Sequence, residues 1–251
     1  RFHQAARRAG LRGLVGAAVT LQEGSDTRTK SLLLLVESRA GYRNLCRLLT
    51  EGHLGSPRCT PRVGLAQLEE HAQGLLALAR GDGALDAGLL ARLHAIFGRS
   101  RLWVDVSRPR ERAAEAALRR AVAIAQAQGL GIVATNDVRA ATADGRRLID
   151  AFTCLRERTM LDLAGRRLSA NAERCLRSPE EMAARFSDQP AWIRASREIA
   201  ERCAFTLEDL GYRFPGFPVP SDETQDSWLR REAFAGARHR YGDPLPRRAR
   251  A

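Results

Sequence analysis

The amino-acid sequence predicts an α/β protein that continues into an all-helical segment after residue 145. Short apolar runs alternate with amphipathic stretches up to about residue 142, and this alternation stops at the predicted turn Asp144-Gly145. Beyond that turn the apolar residues recur only at helical spacing. Strands and helices that alternate at this spacing indicate parallel pairing with the helices outside, in a barrel or an open α/β sheet.

Five apolar runs in the first part are predicted strands, and three amphipathic stretches are predicted helices. The strands cover residues 14–21, 32–36, 74–79, 101–106 and 132–135, and the helices cover residues 40–54, 83–97 and a stretch opened by Ser107 and Pro109 that runs to Gly129. In the first helix we expect Tyr42, Leu45, Cys46 and Leu49 to form the buried stripe. Cys46 is interpreted as a small core residue rather than a reactive thiol.

The second part contains a strong helix-start signal and a proline-rich break. Ser178 and Glu181 have the spacing of a capping box with Pro179 at the first helical position, and a further helix is predicted over residues 191–203. Three prolines within residues 213–223 exclude regular helix and indicate a linker. A last helix is predicted over residues 224–240, and the tail from Gly242 is predicted to be disordered. The predicted domains are therefore residues 1–145, 146–212, 213–223 and 224–251.

Composition narrows the class of protein. The net charge of +12 arises from 41 basic residues of which only Lys30 is a lysine, so the arginines form either a phosphate-facing patch or ordinary solvated faces. Five cysteines without a C-x-x-C pair predict reduced thiols and a cytoplasmic location. No apolar run is long enough to span a membrane, and a chain that starts at Arg1 without a signal peptide is interpreted as a fragment whose beginning is missing.

Common catalytic motifs are not found in the sequence. No two of the five histidines lie within ten residues of each other, and neither G-x-G-x-x-G nor G-x-S-x-G occurs. Polar residues do follow the apolar run 132–134, where Asn136 and Asp137 come just after a predicted strand end. In an α/β protein such a position faces a ligand, so Asp137 could hold a metal ion, act as a base, or do neither.

Several long segments resemble a known family. The segments LLLLVESRAGYRNLCRLLTEGHL, GIVATNDV, AFTCLRERTMLDLAGRRLSANAERCLRSPEEMAARF and EIAERCAFTLEDLGYRFPGFPVPSDET strongly resemble the amino-terminal region of bacterial C-family DNA polymerases, the family of the DNA polymerase III alpha subunit. The likeness is closer to the error-prone branch and covers about residues 1–241. It implies a partial distorted β/α barrel of the polymerase and histidinol phosphatase (PHP) type in residues 1–145. A helical extension, the linker and the start of the thumb and palm region would follow.

The resemblance also implies that a metal site has been lost. Where metal-binding relatives place ligands, this chain has Ala18, Ser31, Gly81 and Arg139, and the relatives' first ligands would lie upstream of Arg1. Asn136 and Asp137 persist. We therefore expect no catalytic residue, no metal ion and no cofactor in this chain, with Asn136, Asp137 and Arg139 at the mouth of a relic site. Asp137 is interpreted as a vestigial position that pairs with Arg139.

The function implied by the resemblance is that of a polymerase fragment. The parent would act in DNA replication and in damage-tolerant (translesion) repair synthesis, with magnesium held in a palm that this chain lacks. This part would be a structural PHP domain that is not catalytic alone. Its expected partners are DNA, bound without sequence preference, and other replication or translesion proteins, but no membrane.

Two further functions stay open at this point. One is a stand-alone PHP metal-dependent phosphoesterase or 3′-5′ exonuclease, which requires the missing histidines. The other is a scaffold that binds an accessory protein through the helical segment after Arg146.

Overall fold

A computed structural model describes residues 2–22, 30–82, 85–210 and 216–246 of the chain. The chain divides into two compact units, residues 1–210 and residues 211–251. The predicted four-part domain division stays a prediction.

The first unit contains the alternating strands and helices that the sequence predicts. Its strands are β1 (Gly16–Gln22), β2 (Lys30–Val36), β3 (Val63–Gly64), β4 (Leu75–Arg80), β5 (Leu102–Ser107) and β6 (Gly131–Thr135). Its α-helices are α1 (Phe2–Arg8), α2 (Arg39–Leu54), α3 (Leu65–Glu70), α4 (Ala87–Phe97), α5 (Arg112–Ala127), α6 (Arg146–Glu157), α7 (Leu161–Ala164), α8 (Pro179–Arg185) and α9 (Pro190–Arg202). The α/β class is confirmed, and helices follow the strands as expected.

The strands form one six-stranded sheet in the order β3-β1-β2-β4-β5-β6. β4, β5 and β6 are parallel, as expected, and β3 is parallel to β1. The expectation of parallel pairing is wrong for β2, which runs antiparallel to both β1 and β4. Only seven residues separate β1 from β2, and a parallel connection needs a crossover of a dozen or more residues.

The sheet is buried on both faces around β4. Leu75, Ala77 and Ala79 lie on the face that packs with α2, α4 and α5, whereas Leu76 and Leu78 lie on the other face. On that second face α9 contributes Ala195 and Ile199 to the core, and Cys203, the residue after the helix, belongs to the same cluster. Because β4 is covered on both sides, its sequence is a continuous apolar run rather than an alternation of apolar and polar residues.

The predicted buried stripe of α2 is confirmed for Leu45, with Tyr42 and Leu49 packed against the core, but it is wrong for Cys46, which is exposed. Asn44 and Leu48 are buried instead. The helix also makes a close approach at Gly41, where a Cβ atom would lie 1.9 Å from the carbonyl oxygen of Gly74. Periodicity alone does not predict this contact.

Two helices start later than predicted. The helix predicted from Pro109 begins at Arg112, because Arg110 has a left-handed φ of 56° that interrupts a helix. The helix predicted from residue 83 begins at Ala87, where the Asp86 side chain accepts a hydrogen bond from the Leu89 amide at 2.7 Å. Residues 83–84 lie outside the described residues.

The segment after residue 145 contains helices as predicted, and one non-helical stretch separates α7 from α8. Residues 168–178 form no helix, and Cys175 makes a parallel β-bridge with Ala140, beyond the end of β6. The predicted helix start is confirmed, because the Ser178 hydroxyl accepts from the Glu181 amide and the Glu181 carboxylate accepts from the Ser178 amide. The segment therefore returns to the carboxyl end of the sheet before α8 begins.

The second unit contains one long helix, α10 (Gln225–Tyr241), which Thr224 caps. Residues 216–224 are neither helix nor strand. The first residues of the predicted linker, 213–215, and the end of the tail, 247–251, lie outside the described residues. Among the described helices of the chain, none is long and apolar enough to cross a membrane.

Candidate functional site

The candidate site lies where the parallel strands β4, β5 and β6 end. The carboxyl ends of parallel strands meet at one edge of a sheet, and here they bring together Arg80, Asp105 and Asp137. These residues line a cavity of about 480 Å³, which is closed on other sides by the first turns of α5 and by Arg174. The predicted strand-end position is thus part of a real cavity.

Asp137 is bound by three arginines. Its Oδ2 accepts hydrogen bonds from Arg80 at 3.0 Å, from Arg139 at 3.2 Å and from Arg174 at a shorter distance. The predicted pair with Arg139 is confirmed. The chain is not extended at Asp137, which has a left-handed φ of 41°.

The three arginines keep Asp137 ionised. Burial opposes ionisation of this carboxyl, whose side chain is only 17% exposed. The charges of Arg80, Arg139 and Arg174 outweigh that effect and hold the pKa of Asp137 below its ordinary value. Asp137 is therefore a charged group with its partners already in place, which is unfavourable for a general base.

Asp105 has the opposite tendency on the neighbouring strand. Burial raises the pKa of Asp105 to about 6, even though the Thr135 hydroxyl donates a hydrogen bond to its Oδ1 at 2.5 Å and Arg80 lies nearby. The carboxyl also lies close enough to Asp137 for the two negative charges to repel each other. Two carboxyl groups in one cavity thus differ in their ionisation.

Asn136 has a structural position rather than a ligand-facing one. Its Nδ2 donates to the carbonyl oxygens of Glu173 at 2.8 Å and Cys175 at 2.7 Å, and its Oδ1 accepts from Arg185 at 3.1 Å. These bonds attach the returning segment 168–178 to the end of β6. The Asn136 side chain therefore fixes the backbone on either side of Arg174, whose own side chain reaches the cavity.

A second carboxylate, Glu173, is also surrounded by arginines. Arg185 and Arg177 donate to its Oε2, and Arg110 lies 3.6 Å from its Oε1. The hydrogen bond from Arg185, together with the nearby positive charges, holds the pKa of Glu173 below its ordinary value. Two carboxylates near Asn136 are therefore paired with arginines: Asp137, its neighbour in sequence, and Glu173, whose carbonyl oxygen accepts a hydrogen bond from Asn136.

The residues of this cavity do not fit a divalent cation. Within residues 2–22, 30–82, 85–210 and 216–246, no group of three or more His, Cys, Asp or Glu side chains is arranged to hold a metal ion. Such ions need several anionic or neutral donors around one point. Here Asp137 faces three guanidinium groups, which would repel a cation.

Sequence reasoning found Asn136, Asp137 and Arg139 but missed Arg80, Asp105 and Arg174. Two of the missed residues could have been found from their place in the sequence. Arg80 is the last residue of β4, at a strand end like that of Asp137, and Asp105 alternates with apolar residues along β5. Arg174 could not have been found in this way, because it comes from a segment 37 positions further along the chain.

Comparison with known proteins identifies the family. The PHP domain model matches residues 1–133. Error-prone DNA polymerases are similar over most of the chain: that of Mycolicibacterium paratuberculosis is 36% identical over 97% of this chain and 24% of its own length, and that of Anaeromyxobacter dehalogenans is 37% identical over 87% and 20%. The Caulobacter vibrioides relative is 34% identical over 94% of this chain and 22% of its own length.

The chain spans about a fifth to a quarter of the length of the relatives it matches. The model match covers more than half of the chain, and it includes β4 and β5, two of the strands that end at the cavity. The chain therefore belongs to the PHP domain family, and its sequence matches one portion of the error-prone DNA polymerases.

Proposed function

We propose that this chain is the PHP portion of an error-prone DNA polymerase and that it acts as a structural support without a metal centre. The observation that carries this proposal is the Asp137 carboxylate, whose Oδ2 is shared by Arg80, Arg139 and Arg174. A carboxylate neutralised in this way stabilises the cavity wall and has little affinity for a cation.

Support for a scaffold role also comes from the packing of the sheet. The face that carries Leu76 and Leu78 is covered by α9, and the returning segment 168–178 is hydrogen-bonded to the end of β6. The strands are thus packed against helices on both faces of the sheet, which suits a support for the rest of a longer polypeptide.

The activity of the whole protein is proposed from its relatives. Because the similar proteins are named error-prone DNA polymerases, we infer that the parent extends DNA in replication and damage-tolerant repair in the cytoplasm. Its magnesium ions would be held by carboxylates of a palm outside this chain. DNA would be the partner, and the chain alone would neither polymerise nor hydrolyse.

Metal analysis combined with a hydrolysis assay tests the structural role. The purified chain is dialysed against buffer with manganese or zinc, and bound metal is measured by inductively coupled plasma spectrometry. We expect far less than one ion per chain and no hydrolysis of p-nitrophenyl phosphate or of a 3′-ended oligonucleotide above the buffer rate.

The matched control is Asp137→Asn, which removes the carboxylate that persists at the position implied by the resemblance to metal-binding relatives. Stoichiometric metal that is lost in Asp137→Asn, together with turnover, would instead favour a stand-alone PHP phosphoesterase or 3′-5′ exonuclease. The coding sequence beyond residue 251 tests the polymerase assignment separately: an open frame that continues into a carboxylate-bearing palm supports it, and an unrelated domain contradicts it.

A further inference from the structure

Helix α6 presents its large apolar side chains to solvent. Leu148, Phe152 and Leu155 are exposed, with Phe152 at 61% and Leu155 at 72%, whereas the side chains it buries are Thr153 and Cys154. Spacings of four and three residues place the three apolar residues on one face of the helix. This is the reverse of an ordinary surface helix, whose large apolar residues face the core.

The exposed face continues into the next helix. Met160, Leu161 and Leu163 are exposed as well, while Ala164 of α7 is buried. The two helices contact each other directly along the chain. We call the six exposed residues the α6–α7 apolar face: Leu148, Phe152, Leu155, Met160, Leu161 and Leu163. Apolar surface of this extent that stays in water is typical of an interaction site.

The face is bordered by positive charge. Arg147, Arg158, Arg166 and Arg167 are exposed, and none of them forms an ion pair or a side-chain hydrogen bond among the described residues. Over residues 146–167 the sequence has six arginines and three carboxylates. The border therefore favours a partner with negative charges beside an apolar stripe.

We propose that the α6–α7 apolar face is a docking site for an amphipathic helix with acidic flanks, supplied by a separate protein. The apolar stripe of that helix packs on Phe152 and Leu155, and its carboxylates pair with Arg147 and Arg158. Helices bind apolar grooves and faces in this way through residues spaced three and four apart. The proposal does not depend on the polymerase assignment.

The same charges disfavour a second copy of this chain as the occupant. A second copy would bring two arginine borders together, and like charges across an interface oppose association.

Binding of a designed peptide tests the proposal. The probe is a fluorescein-labelled 18-residue helix with leucines on one face and glutamates beside them, titrated with the whole 251-residue chain and followed by anisotropy. Two control peptides have the same composition in scrambled order, or lysine in place of each glutamate. We expect saturable binding of the acidic amphipathic peptide only, weakened by salt.

Matched variants locate the site. Phe152→Ser and Leu155→Ser should each raise the Kd at least about tenfold, as expected for central apolar contacts. The double variant Arg147→Glu/Arg158→Glu should weaken the acidic peptide and strengthen the lysine peptide. Leu54→Ser and Arg47→Glu, which alter exposed residues of α2, should leave the Kd within about twofold of the parent chain.

All substituted side chains are exposed, and circular dichroism melts verify that each variant is folded. Three results would overturn the proposal. The first is the absence of peptide binding, or equal binding of the lysine peptide. The second is a dimer in sedimentation that Phe152→Ser dissociates, which would make a second copy the occupant. The third is cosedimentation with phosphatidylserine vesicles that Phe152→Ser abolishes.

Discussion

At the residue scale, the cavity contains two carboxyl groups whose surroundings shift their ionisation in opposite directions. Asp137 receives three guanidinium groups and has a lowered pKa, whereas Asp105 is buried beside Thr135 and has a pKa of about 6. One carboxylate is therefore expected to stabilise the fold and the other to cost stability near neutral pH, although they line the same space.

Replacement of Asp137 by asparagine should destabilise the protein. The substitution keeps the shape but leaves Arg80, Arg139 and Arg174 close together without their counter-charge. We expect a loss of about 1–3 kcal/mol in the free energy of unfolding at pH 7, measured by urea denaturation, with Arg139 contributing least because it is half exposed.

The pH dependence follows from the sign of the shift. A carboxyl whose pKa is lowered by folding stabilises the protein above its unfolded pKa of about 4, and this contribution is lost as the pH falls through the lower folded value. The difference between the parent chain and Asp137→Asn should therefore shrink at pH 3. Asp222→Asn, at an exposed position, should cause no change at either pH. Equal stability of Asp137→Asn and the parent at pH 7 would contradict the role given to the three arginines.

Replacement of Asp105 by asparagine should have the opposite effect. A carboxyl whose pKa is raised by burial costs stability above that pKa, so the neutral amide should make the protein more stable at pH 8, by about 1–2 kcal/mol. The amide oxygen can still accept the hydrogen bond from Thr135. The gain should fade between pH 6 and pH 4, where the parent carboxyl becomes protonated. A gain that is the same at pH 4 and pH 8 would show that packing, not ionisation, is its cause.

At the scale of single elements, local signals were sufficient where neighbours in sequence make the contact. The cap of α8 is formed by Ser178 and Glu181, which lie three residues apart, and the sequence predicts it. The close approach of α2 is different, because it involves Gly74, 33 positions beyond Gly41. The spacing of apolar residues predicts that a helix has an apolar face. It does not predict the exact rotation of the helix about its axis, which depends on the surface against which the helix packs.

Alanine at position 41 should separate α2 from the sheet. Its Cβ would lie 1.9 Å from the Gly74 carbonyl oxygen and 2.6 Å from the carbonyl carbon, so the backbone itself would have to move. We expect a loss of about 3 kcal/mol in the free energy of unfolding, measured by denaturation. Gly236→Ala in α10 is the control, because no heavy atom lies within 4 Å of the added Cβ. It should keep or raise the helical signal in circular dichroism; unchanged stability of Gly41→Ala would show that the close contact is not required.

At the scale of the whole molecule, the class of fold follows from the alternation of strands and helices, but the strand pairing does not. β2 lies antiparallel between β1 and β4, and no local feature of its apolar sequence indicates direction. The candidate site was likewise predictable only in part. Asp137 stands beside its strand in sequence, whereas Arg174 reaches the cavity through a segment whose return depends on the Ala140–Cys175 bridge.

The net charge of +12 leads to a last prediction, that the chain binds DNA weakly and without sequence preference. Several arginines are engaged with carboxylates at the cavity, so only the remaining exposed ones can meet phosphates. If about four phosphates are contacted, raising the salt from about 50 to about 200 mM should weaken binding roughly a hundredfold, because bound counterions are released from DNA. Anisotropy with two duplexes of equal length and different sequence measures this, and their affinities should agree within about twofold. Binding that does not respond to salt, or that favours one duplex strongly, would contradict contact through the phosphate backbone.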